Sequence, residues 1–200
     1  SVVVDGSGKR FADEGLGGIY MSNLVARFDD PLSAWTIFDR RIWEDGPGVK
    51  SVYPANPTVE KAGGRVFRAD TAAALARQIG LDPDTLTHTV DAYNAALRSG
   101  NRSSLDIMRS DGAVPAAPLE VLPLMAIPLV VGITNTMGGI SIDGRMRVKR
   151  PDGGIINGLY AVGGTTGGLE GGGNIGYVGG LIKAAVTGLL AGEDASRQKG

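Results

Sequence analysis

The chain has 200 residues, 42% of them hydrophobic and 20% charged, with a formal net charge of −1. That suits one domain or two small ones and leaves no basic surplus for nucleic acid or anionic lipid. Cys is absent, which excludes disulfides, Cys-ligated metals and thiol nucleophiles. The apolar stretches fall short of a membrane span, and "SVVVDGSGKR" lacks the charged-then-apolar order of a signal peptide. The expectation is a cytoplasmic chain with no metal, no nucleic-acid partner and no membrane span.

In chain order, "SVVVDGSGKRFADE" reads as a β-hairpin: Val2–Val4, a Gly-rich turn, then a strand through Phe11. "GIYMSNLVARF" reads as a helix, "AWTIFD" as a short buried strand and "RRIWEDG" as a turn of helix ending at Gly46. Residues 46–64 hold Pro47, Pro54, Pro57 and Gly63-Gly64, and read as loop. "RADTAAALARQIG" is a short helix begun near Asp70 and stopped by Gly80. It pairs into a helical hairpin with "LDPDTLTHTVDAYNAALRSG", where Asp82 is the N-cap, Pro83 takes the first helical position and Gly100 follows the end. Leu86, Val90, Tyr93 and Leu97 form one apolar stripe at helical spacing. His88, the chain's single histidine, lies off that stripe and reads as solvated, which excludes a Ser-His-Asp triad and a multi-His metal site.

After a polar linker over residues 99–118 the pattern changes. "LMAIPLVVGIT" is a long apolar β-type run. "GGISIDGRMRVKR" is two short strands about an Asp143-Gly144 turn, and "PDGGIINGLYAVGG" is a turn followed by a buried strand, Leu159–Val162. In the closing "GGLIKAAVTGLLAG", Leu181, Ile182, Ala185, Val186 and Leu189 cover most of a helix's circumference, with Lys183 its one charge. A helix apolar nearly all round is predicted to be buried. The chain therefore divides near residues 120–127 into an α+β part and a strand-rich part with one buried helix.

From Gly163 to Gly180, 10 of 18 residues are Gly. Each glycine in an ordered element costs roughly 0.5–1 kcal/mol relative to Ala, so the run needs a reason. Residues 171–176, "GGGNIG", match G-x-G-x-x-G, but no strand stands directly before them and no βαβ unit follows, so they make a poor dinucleotide fingerprint. Close packing against a sheet or helix is a second reading. The third uses the helix that follows: its first-turn N–H groups have no intrahelical partners, its dipole places about half a positive charge there, and no Ser, Thr, Asp or Asn stands beside it as a cap. A phosphate, or an electron-rich ring that accumulates negative charge, could supply the acceptors.

"NTMGGISIDGRMRV…DGGIINGLYAVGGTTGGLEGG", with the Gly-rich stretch and a helix ending "AG", resembles the C-terminal part of the fumarate reductase/succinate dehydrogenase flavoprotein superfamily, in its ketosteroid dehydrogenase and tricarballylate dehydrogenase-like branches. "GKRFADE" is similar to that superfamily's "GKRFxNE" element, and residues 67–97 resemble its capping-domain helices. The resemblance runs over residues 1–192. It implies an α+β fold in which residues 1–125 form a substrate-capping domain and 126–200 form the C-terminal strands and buried helix of an FAD-binding α/β domain. It implies FAD as cofactor, with Gly163, Gly164, Gly179, Gly180, Leu181 and Ile182 as cofactor-binding positions, the last helix turning its N-terminus toward the flavin.

A chain opening on "SVVVDG" opens mid-family. The resemblance therefore implies a fragment whose partner is a missing N-terminal FAD-binding half, whose other partner is a small-molecule substrate, and whose uncovered surface favours self-association. The implied reaction is hydride transfer between flavin and a carbon next to an activating carbonyl. Three family groups are replaced: a His before "TMGG" by Asn135, an Arg in the Gly-rich loop by Asn174, and a proton-donating Arg by Gly18. A dicarboxylate needs guanidinium forks, so fumarate is not the expected substrate. The acidic residue of the family's "GLYAAGE" is replaced by Gly164. Asn135 and Asn174 become the expected substrate-orienting residues, with Tyr177 as an acid/base candidate. The alternative is a stand-alone, non-enzymatic binding or interaction module on the same fold.

Overall fold

The structure is a computed structural model that describes residues 1–45, 55–111, 116–132, 138–170 and 179–198. The chain forms two compact units, Ser1–Gly132 and Ile133–Gly200.

The first unit is built on an antiparallel sheet of β1 (Val2–Val4), β2 (Ala34–Asp39), β3 (Phe67–Ala69) and β4 (Leu124–Leu129), in the order β1-β2-β4-β3. The register places Ala34 opposite Leu129 and Asp39 opposite Leu124. β1 is three valines, all buried. They stand opposite Ile37, Thr36 and Trp35, where β-branched and aromatic side chains suit a pleated, packed surface. β1 is an edge strand, and its free Val3 N–H is taken by Glu14 Oε1 at 3.0 Å. Glu14 is held in turn by Arg10, 2.7 Å from Oε2. A charged side chain laid along the edge blunts pairing with another chain.

Helices α1 (Gly18–Val25), α2 (Arg40–Asp45), α3 (Ala55–Lys61), α4 (Ala72–Ile79) and α5 (Pro83–Ser99) complete the unit. α4 is capped by Thr71, whose Oγ1 accepts from Ala74 N at 3.1 Å. α5 is capped by Asp82, whose Oδ1 accepts from Thr85 N at 2.8 Å. The expected stripe on α5 packs as its spacing requires: Leu86, Val90 and Tyr93 join Val2, Val4, Ile37, Leu75, Leu124 and Ala126 in one core, and Leu97 packs against it. His88 is exposed.

Two expectations change here. The opening segment does not make a two-stranded hairpin. Val4 and Arg10 share a single bridge, and β1 gives its ladder to β2 instead, because six residues of "AWTIFD" bury more surface than the polar "GKRF" can. Within the expected loop 46–64 stands α3; a proline in a first turn costs no hydrogen bond, since first-turn N–H groups have no intrahelical acceptor. β4 pairs with β2 along its full length, and the unit boundary follows it, between Gly132 and Ile133.

The second unit contains β5 (Arg147–Lys149) and β6 (Ile155–Tyr160), paired antiparallel with a register shift, a 3-10 turn at Gly163–Thr165, and α6 (Gly180–Arg197). The Asp143-Gly144 turn forms as expected. Asp143 Oδ1 accepts from Arg145 N at 2.9 Å and Arg147 N at 3.0 Å, and Oδ2 lies 2.7 Å from Arg147 Nη2. Partial burial alone would raise the Asp143 carboxyl, but the hydrogen bonds and charge of Arg147 outweigh it and hold the group below the usual carboxylate range.

The last helix corrects the expectation of a helix buried all round. Its buried positions are Lys183, Thr187, Ala191 and Asp194, a stripe at helical spacing that is polar but for Ala191. Leu181 is 91% exposed, Ile182 62% and Leu189 64%. The strand expected to be buried over Leu159–Val162 likewise leaves Leu159 and Val162 exposed, with Ala161 alone buried. The stripe facing the unit is polar because the chain it covers offers polar partners: Gly163 N–H donates to Thr187 Oγ1 at 2.8 Å and Tyr160 OH to Asp194 Oδ2 at 3.0 Å.

Candidate functional site

The start of α6 has the glycine N-cap, without a capping side chain of its own, that its sequence suggested. Its N-cap is Gly179 at φ 117° and ψ 118°, with no side-chain hydrogen bond to cap it. That φ lies in the left-handed region, where a side chain would be strained. The first turn closes only when Lys183 N–H reaches Gly179 O at 3.2 Å. The N–H groups of Gly180, Leu181 and Ile182 precede that bond, as the first-turn groups that an intrahelical acceptor never serves. With the dipole behind them they form a donor array for negative charge. Leu181 and Ile182 are exposed, and Ile182 Cγ2 lies 3.3 Å from where a Cβ on Gly179 would stand.

The segment 163–170 is fastened against this helix. Gly163 is buried, and a Cβ there would come 3.4 Å from Ala184 Cβ. Gly163 O accepts from Thr166 Oγ1 at 2.8 Å, and Thr187 Oγ1 donates to Lys183 O at 2.6 Å. On the other side the segment runs beside residues 139–140: Ile140 N–H donates to Thr165 O at 2.8 Å and Gly167 N–H to Ile140 O at 3.2 Å. A Cβ on Gly139 would lie 2.6 Å from both Thr165 O and Gly167 N. Here the glycines serve backbone contact, so the close-packing reading holds at Gly139 and Gly167 while Gly179 belongs to the open helix start.

The structure thus places Gly163, Gly164, Gly179, Gly180, Leu181 and Ile182 in one unit, with Gly163 packed on the second turn of α6. Asn135, Asn174, Tyr177 and the "GGGNIG" segment lie outside the described residues. Sequence reasoning missed two groups. Lys183 and Glu170 form an ion pair at 3.1 Å with side chains 6% and 5% exposed; the one signal was a lone lysine in an apolar helix. Tyr160 is fixed to α6 through Asp194. Burial first, then the hydrogen bond and charge of Asp194, raise its hydroxyl above the ordinary tyrosine range, so it stays a neutral donor to that carboxylate.

Among the described residues no cluster of three or more His, Asp or Glu side chains could hold a metal ion, and no helix is long and apolar enough to cross a membrane.

The FAD binding domain family model matches residues 3–176. The chain is 33% identical over 197 residues to an NADH:acrylate oxidoreductase of Vibrio harveyi, covering 98% of this chain and 18% of that protein. It is 30% identical over 213 residues to a 4-oxocyclohex-2-ene-1-carboxylate 5-dehydrogenase of Sinomonas cyclohexanicum, covering 98% of this chain and 36% of that one. It thus spans about a fifth to a third of these curated relatives. The solved 3-ketosteroid delta1-dehydrogenase of Sterolibacterium denitrificans shares the fold with a TM-score of 0.73 at 24% identity, over 99% of this chain and 39% of that one. By these likenesses the chain belongs to the FAD binding domain family, within the fumarate reductase/succinate dehydrogenase flavoprotein superfamily, and FAD is its cofactor.

Proposed function

We propose that the chain supplies the substrate-capping unit and the flavin-facing helix of an FAD-dependent oxidoreductase acting at a carbon next to an activating carbonyl. The observation that carries this reading is the uncapped start of α6, with Gly179 as N-cap, in a chain of the FAD binding domain family. FAD, when bound, supplies hydride exchange with the substrate carbon. The chain's own residues hold and tune. Gly180, Leu181 and Ile182 offer main-chain donors and the positive end of the helix dipole to the ring edge. Gly163 and Gly164 keep the approach free of side chains. Residues 1–125 cap the substrate and 126–200 return the chain into the FAD domain.

Asn135 and Asn174 orient the substrate, and Tyr177 holds or accepts its proton. Asn135, Asn174 and Gly18 stand where a dicarboxylate site would need cations, so the substrate is less charged than fumarate and of the enone class. The Sinomonas relative is named for a substrate of that kind, a ring ketone with a ring alkene.

The exposed Leu181, Ile182, Val186 and Leu189 support a helix meant to be covered by the remainder of a flavoprotein. A stand-alone module would carry no such contiguous apolar face. The test is the visible absorption spectrum of the full-length protein as purified, and again after incubation with excess FAD and desalting. A retained flavin band with turnover of a cyclic enone or its saturated ketone is expected. A full-length protein that purifies colourless and does not reconstitute overturns the reading.

A further inference from the structure

We propose that Lys183 is a positioning residue. Its buried ion pair with Glu170 latches segment 163–170 to the first turn of α6 and fixes the charge behind the helix start. This rests on the FAD reading above and deepens it.

Three observations carry it. Lys183 Nζ lies 3.0 Å from Thr166 O and 3.1 Å from Glu170 Oε2, with both charged side chains nearly excluded from solvent. The same residue closes the helix's first turn through its own N–H to Gly179 O, and its carbonyl accepts from Thr187 Oγ1, which receives Gly163 N–H. Gly163, Thr166 and Glu170 are thereby all tied to Lys183 or to its neighbour one turn on. Finally, the position is a poor place for a cation. Side chains on a helix lean toward its N-terminus, where the dipole is positive, and burying the charge costs more again. Apolar residues at both 183 and 170 would pack there without either penalty, so the charged pair serves placement of charge. Glu170 offsets it, and the pair leaves a balanced dipole behind the donor array.

The two halves of the pair should act on a bound flavin with opposite sign. Removing the Lys183 cation makes it harder to place negative charge at the helix start; removing the Glu170 anion makes it easier. A merely structural pair would move both variants the same way, because either loss loosens the same latch.

The experiment uses the full-length protein carrying Lys183→Met, Glu170→Gln, the double replacement Lys183→Met with Glu170→Leu, and Lys183→Arg. In the flavin-free protein, amide hydrogen exchange of residues 163–170 should quicken by at least about 100-fold in each single variant, the loss expected when one partner of a buried pair is removed. It should return toward the parent in the double variant and in Lys183→Arg. In the FAD-loaded protein the flavin midpoint potential should fall in Lys183→Met and rise in Glu170→Gln. Unchanged exchange overturns the latch. Quickened exchange with potentials that shift in the same direction overturns the positioning role. A parent protein that never holds FAD overturns the function proposed above, and the exchange result still decides the latch.

Discussion

The two units differ in how much apolar surface they bury. In Ser1–Gly132 a hydrocarbon core of Val2, Val4, Ile37, Leu75, Leu86, Tyr93 and Ala126 closes on itself, beside the buried charges of Glu14, Asp39 and Arg109. In Ile133–Gly200 the buried apolar side chains among the described residues are Met146, Val148, Ala161 and Ala191. Polar ties carry more of its interior: Asp143–Arg147, Tyr160–Asp194, Lys183–Glu170 and Gly163–Thr187. Its leucines and isoleucine on α6 face outward. A unit of the first kind draws its stability from area removed from water. A unit of the second kind draws it from hydrogen bonds and charge pairs, whose net worth is smaller and depends on pH.

That contrast can be broken in graded ways. Leu86→Ala should cost the first unit about 2–5 kcal/mol by opening a cavity in a closed core, read by urea denaturation, while amide exchange in α6 stays unchanged. Coupled loss in both units would erase the distinction. Asp39→Ala should be nearly as severe. Its fully buried carboxylate takes Ile42 N at 3.0 Å and both Glu120 N and Val121 N at 3.1 Å. Leaving these donors unmet costs about 2–3 kcal/mol, visible as a lower urea midpoint. Thr71→Ala, which removes the cap of α4, should cost about 1 kcal/mol and shift the same midpoint by less.

The polar unit should answer to acid. Asp143 has its folded carboxyl held below the ordinary range, so its contribution is present above about pH 4 and is lost as pH falls through the lowered folded value. Asp143→Asn should remove that acid-dependent part from the second unit and leave unit one as it was, a difference that exchange measured across an acid series would reveal. The smallest effect is the sharpest. Leu181→Ser, at a side chain 91% exposed, should change the stability of this 200-residue chain by no more than about 0.5 kcal/mol. On the reading proposed above, in which the remainder of a flavoprotein covers this face, the full-length protein should lose several times that. Equal small effects in both would show that the α6 face is an ordinary surface.

Much of the fold was legible because its signals are local. Strand "AWTIFD" is β2 to the residue, Asp82, Pro83 and Gly100 bracket α5, and the 4-3-4 spacing of its stripe made the core face readable. The partner of β1 was less so: whether three valines pair with a neighbour in sequence or a strand thirty residues on depends on which offers more surface to bury. At the candidate site, the missing cap beside α6 could be read from residue types alone. The ion pair of Lys183 with Glu170 could not, since nothing in a 13-residue separation says that two side chains meet.

The sequence alone determined the helices and strands with strong punctuation, the open start of the last helix, and the family, through motifs that recur in order along the chain. Only the tertiary structure decided which face of α6 is inside. Hydrophobicity around a helix says how much surface must be hidden, but which stripe a unit hides depends on the partners it offers. Here those partners are a glycine N–H, a carbonyl, a carboxylate and a phenol, so the polar stripe went in and the apolar one faces outward.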